Sequence, residues 1–169
     1  YPRGIVFANI GAYADTDLAL RAVEMINADA LQVHLNAPQE LLMPEGDKDF
    51  RGWRKRIAAI VRAVSVPVIV KEVGFGIARE QAKVLQDLGV AAIDISGRGG
   101  TNFLQIESLR SRTEYSAGLM NWGIPTPLAI LEAKTGAPQV DLIASGGIVS
   151  GLAVAKSIAQ ASPSKNLIT

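Results

Sequence analysis

"PVIVKEVGFGIAREQAKVLQDLGVAAIDISGRGG", Pro67 to Gly100, holds one full turn of the pattern from which the chain is built. An apolar strand, Val66–Val73, turns polar only at Lys71 and Glu72. A glycine-containing loop leads into an amphipathic helix, "IAREQAKVLQDLG", whose last residue, Gly89, suits the left-handed conformation of a helix C-cap. A second apolar strand, Ala91–Ser96, follows at once and ends in another glycine loop. Runs of Val, Ile and Ala without polar alternation are what strands covered on both faces require. Strand, helix and strand in such close succession form a βαβ crossover, which joins parallel neighbours.

The same unit recurs on both sides. Further strands read at Gly4–Asn9, Ala30–Leu35 and Gln139–Ser145. Helices read at "TDLALRAVEMINA", with Asp15 or Thr16 as N-cap and Leu18, Val23 and Ile26 as its apolar face; from Asp49 in "DFRGWRKRIAAIVRAV"; at "PTPLAILEAKTGA", with prolines where a helix start tolerates them; and at "SGLAVAKSIAQA". An open doubly wound sheet and a (β/α)8 barrel both fit. Asn9, His34 with Asn36, Lys71 with Glu72, Ser96 and Ser145 all fall at strand ends. Polar groups at the carboxyl ends of many successive strands point to the barrel, whereas an open sheet gathers its site at one switch point. Five strands are visible and a barrel needs eight, so residues 1–169 read as a single, partial (β/α)8 domain. "ASPSKNLIT" offers no clear sixth unit, and the chain is expected to be part of a longer one or to lack internal stretches.

Composition narrows the function. The 169 residues are 49% hydrophobic and 20% charged, the profile of a soluble globular domain. A net charge of +1 gives no support to nucleic-acid or anionic-membrane partners. The absence of cysteine removes disulfides, thiolate metal sites and cysteine nucleophiles. No run is long enough to span a membrane and no signal peptide is visible, so a cytoplasmic protein is expected.

The candidate chemistry lies in four loops. "DISGRGGTNF" ends a strand at Ser96 and then presents Gly97, Gly99, Gly100 and Thr101. Such a backbone can offer N–H groups to an anion or a flat ring, or can simply be a flexible loop. "IASGGI" repeats the form at Gly146 and Gly147 before a helix start, the place where barrels hold phosphate. Lys71 ends an apolar strand and needs either a counter-charge, Glu72 or Asp94, or an electron-rich ligand. In "LQVHLNAPQELLMPEGD", alternation sets His34, the single histidine, and Asn36 on one face, with Gln39 and Glu40 following the Pro38 turn. These offer donors for a diphosphate and one carboxylate for Mg²⁺, which commonly keeps few protein ligands. A satisfied core histidine and a surface Glu are the plain alternative. "RGWRKR" reads as a solvated helix face, and Trp53 and Trp122 as packing residues.

"FANIG", "LQVHLNAPQELLMPEGD", "PVIVKEVGFG", "DISGRGGTNF", "NWGI" and "IASGGI" together resemble type 2, flavin-dependent isopentenyl-diphosphate isomerase, in the family's order and over roughly Ile5 to Ala159. The resemblance implies a (β/α)8 barrel that binds FMN and Mg²⁺ and interconverts isopentenyl and dimethylallyl diphosphate in isoprenoid biosynthesis, with NAD(P)H serving to reduce the flavin. By position it implies that Asn9, Lys71, Ser96 and Thr101 contact FMN and that Gly146, Gly147, Ile148 and Val149 meet its phosphate. His34, Asn36 and Gln39 would hold the substrate as the catalytic set, and Glu40 the metal. A homo-oligomer acting on a small diphosphate is expected. The family's N-terminal Arg-Lys motif and its late phosphate loop have no counterpart here; the chain ends "AQASPSKNLIT".

The inventory agrees with this chemistry. Moving a double bond needs a proton added and a proton removed, and His34 is almost alone in titrating near neutrality. A reduced flavin can supply both functions. Other FMN barrels, of the 2-hydroxy-acid oxidase or dihydroorotate dehydrogenase type, are the competing enzymes; the oxidases pair a late histidine with arginine, and here the histidine is early. An inactive barrel fragment is the non-enzymatic alternative.

Overall fold

The structure is a computed structural model that describes residues 4–161 and a short strand at 167–168. Its centre is a parallel sheet in sequential order: β1 (Phe7–Gly11), β2 (Ala30–His34), β3 (Val68–Lys71), β4 (Ala92–Asp94), β5 (Asp141–Ile143) and β6 (Leu167–Ile168). The sixth strand corrects the sequence reading. Two residues pairing Leu142–Leu167 and Ile143–Ile168 are too few to show a period. The rest of "ASPSKNLIT" after Ala161 lies outside the described residues.

Eight helices occur among the described residues. The five expected ones are α1 (Thr16–Ile26), α3 (Trp53–Ala63), α4 (Arg79–Asp87), α7 (Thr126–Gly136) and α8 (Gly151–Ala161). Asp15 caps α1, accepting the Leu18 N–H at 2.8 Å. The buried face of α1 differs from the expected one: Ala19 is buried with Ala22 and Val23 against the core, while Leu18 and Ile26 are exposed. α3 starts four residues later than Asp49, because Asp49 is engaged by Arg51 and Gly52 sets the helix start at φ 93°. Gly89, at φ 82°, ends α4 as its sequence position indicates.

Three short helices went unread: α2 (Ala37–Leu42), α5 (Phe103–Ser111) and α6 (Ala117–Met120). The core lies between sheet and helices. Leu31, Val33, Val70, Ile93 and Leu142 from the strands meet Ile57, Ile60, Leu85, Ile130 and Ala133 from the helices, all buried. No described helix is long and apolar enough to cross a membrane.

Candidate active site at the carboxyl rim of the sheet

Register sets Gly11, His34, Lys71, Asp94 and Ile143 side by side at the strand ends. Residues at one level of a parallel sheet share a face, so His34, Lys71 and Asp94 form a titratable row. Asn9, two residues before Gly11, joins it: its side-chain amide donates to His34 Nδ1 at 3.1 Å. That bond makes Nδ1 the acceptor and leaves Nε2–H as the free donor. Burial, then the Lys71 charge, hold the His34 pKa below its ordinary value and keep the ring neutral.

Lys71 makes no ion pair within 4 Å among the described residues; its Nζ donates to the main-chain carbonyl of Glu72 at 2.6 Å. Neither expected counter-charge meets it. Asp94 is buried and occupied, accepting Ser145 Oγ at 2.5 Å and the Ser96 N–H at 3.1 Å. The ammonium is therefore a half-buried cation on the rim, free to donate further to an electron-rich ligand.

The "HLNAPQE" segment departs from the alternation expected of it. β2 ends at His34, and Asn36 stands at φ −139°, ψ 34°, as the residue before α2, so it does not share a strand face with His34. Its amide turns inward and donates to Glu40 Oε1 at 2.7 Å, while its Oδ1 is buried with no partner. Glu40 is buried too; it accepts Tyr13 Oη at 3.2 Å on Oε1 and the Asp47 N–H at 2.8 Å on Oε2. Lys48 Nζ holds the Glu40 main-chain carbonyl. An unpartnered buried amide oxygen beside a carboxylate is the donor chemistry that a hard cation takes. Among the described residues no group of three or more His, Cys, Asp or Glu side chains is gathered for a metal, so water and substrate oxygens would complete the shell.

Gln39 is held by a side chain from another helix. Its Nε2 donates to Oε1 of Glu107 at 2.9 Å, and Arg110 Nε binds the other Glu107 oxygen at 2.7 Å. Glu107 is a buried carboxylate that sequence reasoning missed. The signal was present: Glu107 lies three residues after Leu104, on the buried face of α5 where an apolar residue is expected.

The two glycine loops interlock. A Cβ on Gly146 would stand 2.0 Å from the Gly97 carbonyl oxygen, and one on Gly147 2.3 Å from that of Gly99. Thr126 Oγ1 fastens the contact by donating to the Gly146 carbonyl at 2.5 Å. Beside it is a cavity of about 210 Å³ lined by Arg98, Gly146, Gly147, Ile148, Lys156 and Ser157. Two cationic side chains and a helix start suit a phosphate; Arg98 and Lys156 were not foreseen. Val149 is exposed just before α8, Thr101 is exposed, and Ser96 takes a positive φ of 36° at the turn into the loop. Trp122 is 58% exposed and is not the packing residue expected; Trp53 is, buried edge-on to Phe50 at 5.1 Å.

Fold and rim together describe a β/α protein of parallel sheet and outer helices, with its polar groups converging at the carboxyl ends of the strands. A solved structure, inosine 5'-monophosphate dehydrogenase from Legionella pneumophila, shares this fold at TM-score 0.63 and 16% identity, over 99% of this chain and 43% of that one. The chain is 56% identical to isopentenyl-diphosphate delta-isomerase of Symbiobacterium thermophilum over 160 residues and 55% identical to that of Bacillus pumilus over 158. Each match covers 94% of this chain but 44% of the relative, so the chain spans less than half the length of the curated relatives it matches. No family model matches.

Proposed function

We propose that the whole protein is an isopentenyl-diphosphate delta-isomerase of the FMN-dependent kind, a complete (β/α)8 barrel of which these residues are a part. The observation that carries the reading is identity of 46–56% to proteins of that name along 94% of this chain. The donor set supports the cofactor. Lys71, Asn9, Ser96 and Thr101 would hold the flavin ring. The Gly146–Val149 loop, with Arg98 and Lys156, would take its phosphate.

Reduced FMN, when bound, supplies the proton donor and acceptor for moving the double bond. The protein's part is to bind, orient and hold charge. His34, neutral and with Nε2–H free, donates to a diphosphate oxygen. Glu40, with the unpartnered Asn36 oxygen, would hold Mg²⁺ against the same diphosphate. Gln39 presents its amide to the substrate while Glu107 fixes its orientation. The ammonium of Lys71 stabilises negative charge on the flavin side of the site. NAD(P)H as the flavin's reductant and a homo-oligomeric state belong to the same reading.

The test is the full-length protein. It should purify yellow, release FMN on denaturation, and convert isopentenyl to dimethylallyl diphosphate only with reduced flavin and Mg²⁺. A colourless protein that turns over without flavin would sink the cofactor assignment, and one that binds FMN but oxidises a 2-hydroxy acid would replace the reaction.

A further inference from the structure

Glu72 follows the candidate flavin lysine and has no part in the chemistry above. It is 6% exposed, and a single carboxylate oxygen, Oε2, accepts two loop amides: Val73 N–H at 2.6 Å and Phe75 N–H at 2.8 Å. Its main chain is tied on both sides. Its N–H donates to the Asp94 carbonyl at 3.1 Å, and its carbonyl accepts Lys71 Nζ at 2.6 Å. The loop that Glu72 gathers is itself a support. Phe75 accepts the Ile124 N–H at 2.8 Å, and Gly76 donates to the Ser96 carbonyl at 3.1 Å. A Cβ on Gly123 would stand 2.9 Å from Phe75 Cα, so the loop is seated against residues 123–124 without slack. On its other side Glu72 faces a cleft of about 800 Å³ whose remaining wall, including Phe50, Trp53, Phe75 and Trp122, carries no charge. Lys71 is thus the cation acting on it.

We propose that Glu72 is the positioning residue of the rim: by drawing the Val73 and Phe75 amides onto one oxygen it fixes the β3–α4 loop, and through its own carbonyl it sets where the Lys71 ammonium stands. Both bonds fall on one oxygen, so the task needs an acceptor rather than a negative charge. Glu72→Gln retains that oxygen and should keep the loop. Glu72→Ala removes it. Glu72→Asp withdraws it by one methylene and remains a test should the alanine variant fail to fold. The consequence for flavin rests on Lys71 facing the ring, as proposed above; the consequence for the loop does not.

The experiment uses the full-length protein and reads two quantities. Hydrogen exchange followed by mass spectrometry on a peptide covering residues 72–78 reports the loop, and titration with free FMN reports affinity. With two hydrogen bonds lost, exchange in Glu72→Ala should quicken about tenfold or more, and FMN affinity should fall about tenfold. Glu72→Asp should move the same way and Glu72→Gln should stay near wild type. Wild-type exchange in Glu72→Ala or Glu72→Asp would overturn the inference, as would a Glu72→Gln protein as loose as Glu72→Ala, which would mean that charge is what counts. Loosened exchange with unchanged FMN affinity would uphold the loop-setting role and overturn its link to Lys71. If Lys71→Ala itself leaves FMN affinity untouched, the fault lies with the flavin reading, and the exchange result still judges Glu72.

Discussion

At the scale of single residues, the site is governed by who satisfies whom. Gln39 was legible as a polar residue after a strand, but its partner was not, since Glu107 is 68 positions away. Buried carboxylates are tolerated when hydrogen-bonded, and Glu107 is bonded from Gln39 and Arg110. Changing Glu107 to Ala should therefore leave the Gln39 amide free to turn and lower isomerase kcat about ten- to a hundredfold, with FMN content near wild type. Steady-state rates beside flavin absorbance check this, and equal losses of rate and flavin would reassign Glu107 to the fold. Glu72 carries a pH signature. Burial, opposed by the Phe75 and Val73 amides and by Lys71, raises its pKa from 4.5 to about 7. The folded state thus favours the protonated carboxyl more than the unfolded state does. Its contribution to stability is complete below about pH 4.5 and is lost as pH rises through about 7. Melting temperatures of wild type should fall relative to Glu72→Gln across that window; parallel profiles would show that Glu72 does not titrate there. His34 works in the opposite sense, its depressed pKa favouring the neutral ring as pH rises.

At the scale of elements, what could be read was what repeats. Strands buried on both faces give continuous apolar runs, and long helices give a 3.6-residue stripe, so β1–β5 and five helices stood out. α2 is six residues long with Pro38 in its first turn, too short for a stripe. α5 buries Leu104 and Glu107 on one face, and the buried charge erases the stripe there. α6 is four residues. The rim residues were legible for a related reason: a Lys, a His or an Asn closing an apolar strand breaks the pattern conspicuously. Their partners come from other elements, and only the fold brings those together. The glycine loops illustrate this. Their composition pointed to a ligand, but the structure gives their first duty as seating one loop on the other. Gly146→Ala would add a Cβ against the Gly97 carbonyl at φ 103°, and should cost about 2 kcal/mol or more. Gly151→Ala meets nothing within 4 Å and should be close to neutral. Thermal unfolding of the pair separates loop seating from a general intolerance to alanine.

At the scale of the whole molecule, the open sheet has consequences of its own. β1 has a partner on one side only among the described strands, and Phe7, Ile5 and Val6 beside it are exposed. Met25 on α1 is 76% exposed and Leu152 on α8 is 66% exposed. A parallel edge with unpaired backbone groups and neighbouring apolar side chains invites another chain to pair with it. The curated relatives are more than twice as long as the matched segment, so they have chain enough to cover such an edge. The 169 residues expressed alone should therefore self-associate at micromolar concentration and bind a dye that reports exposed apolar surface, while the full-length protein should bind little of it. Phe7→Lys places a charge at the free edge without touching the core, since Phe7 is outward-facing. It should reduce self-association of the short chain and leave its circular dichroism unchanged. Sedimentation velocity over a concentration series, beside dye fluorescence, makes the measurement. A short chain that stays monomeric and dye-silent would show that the sheet needs no cover at its edges, and the proposed closure into a complete barrel would lose its physical motive.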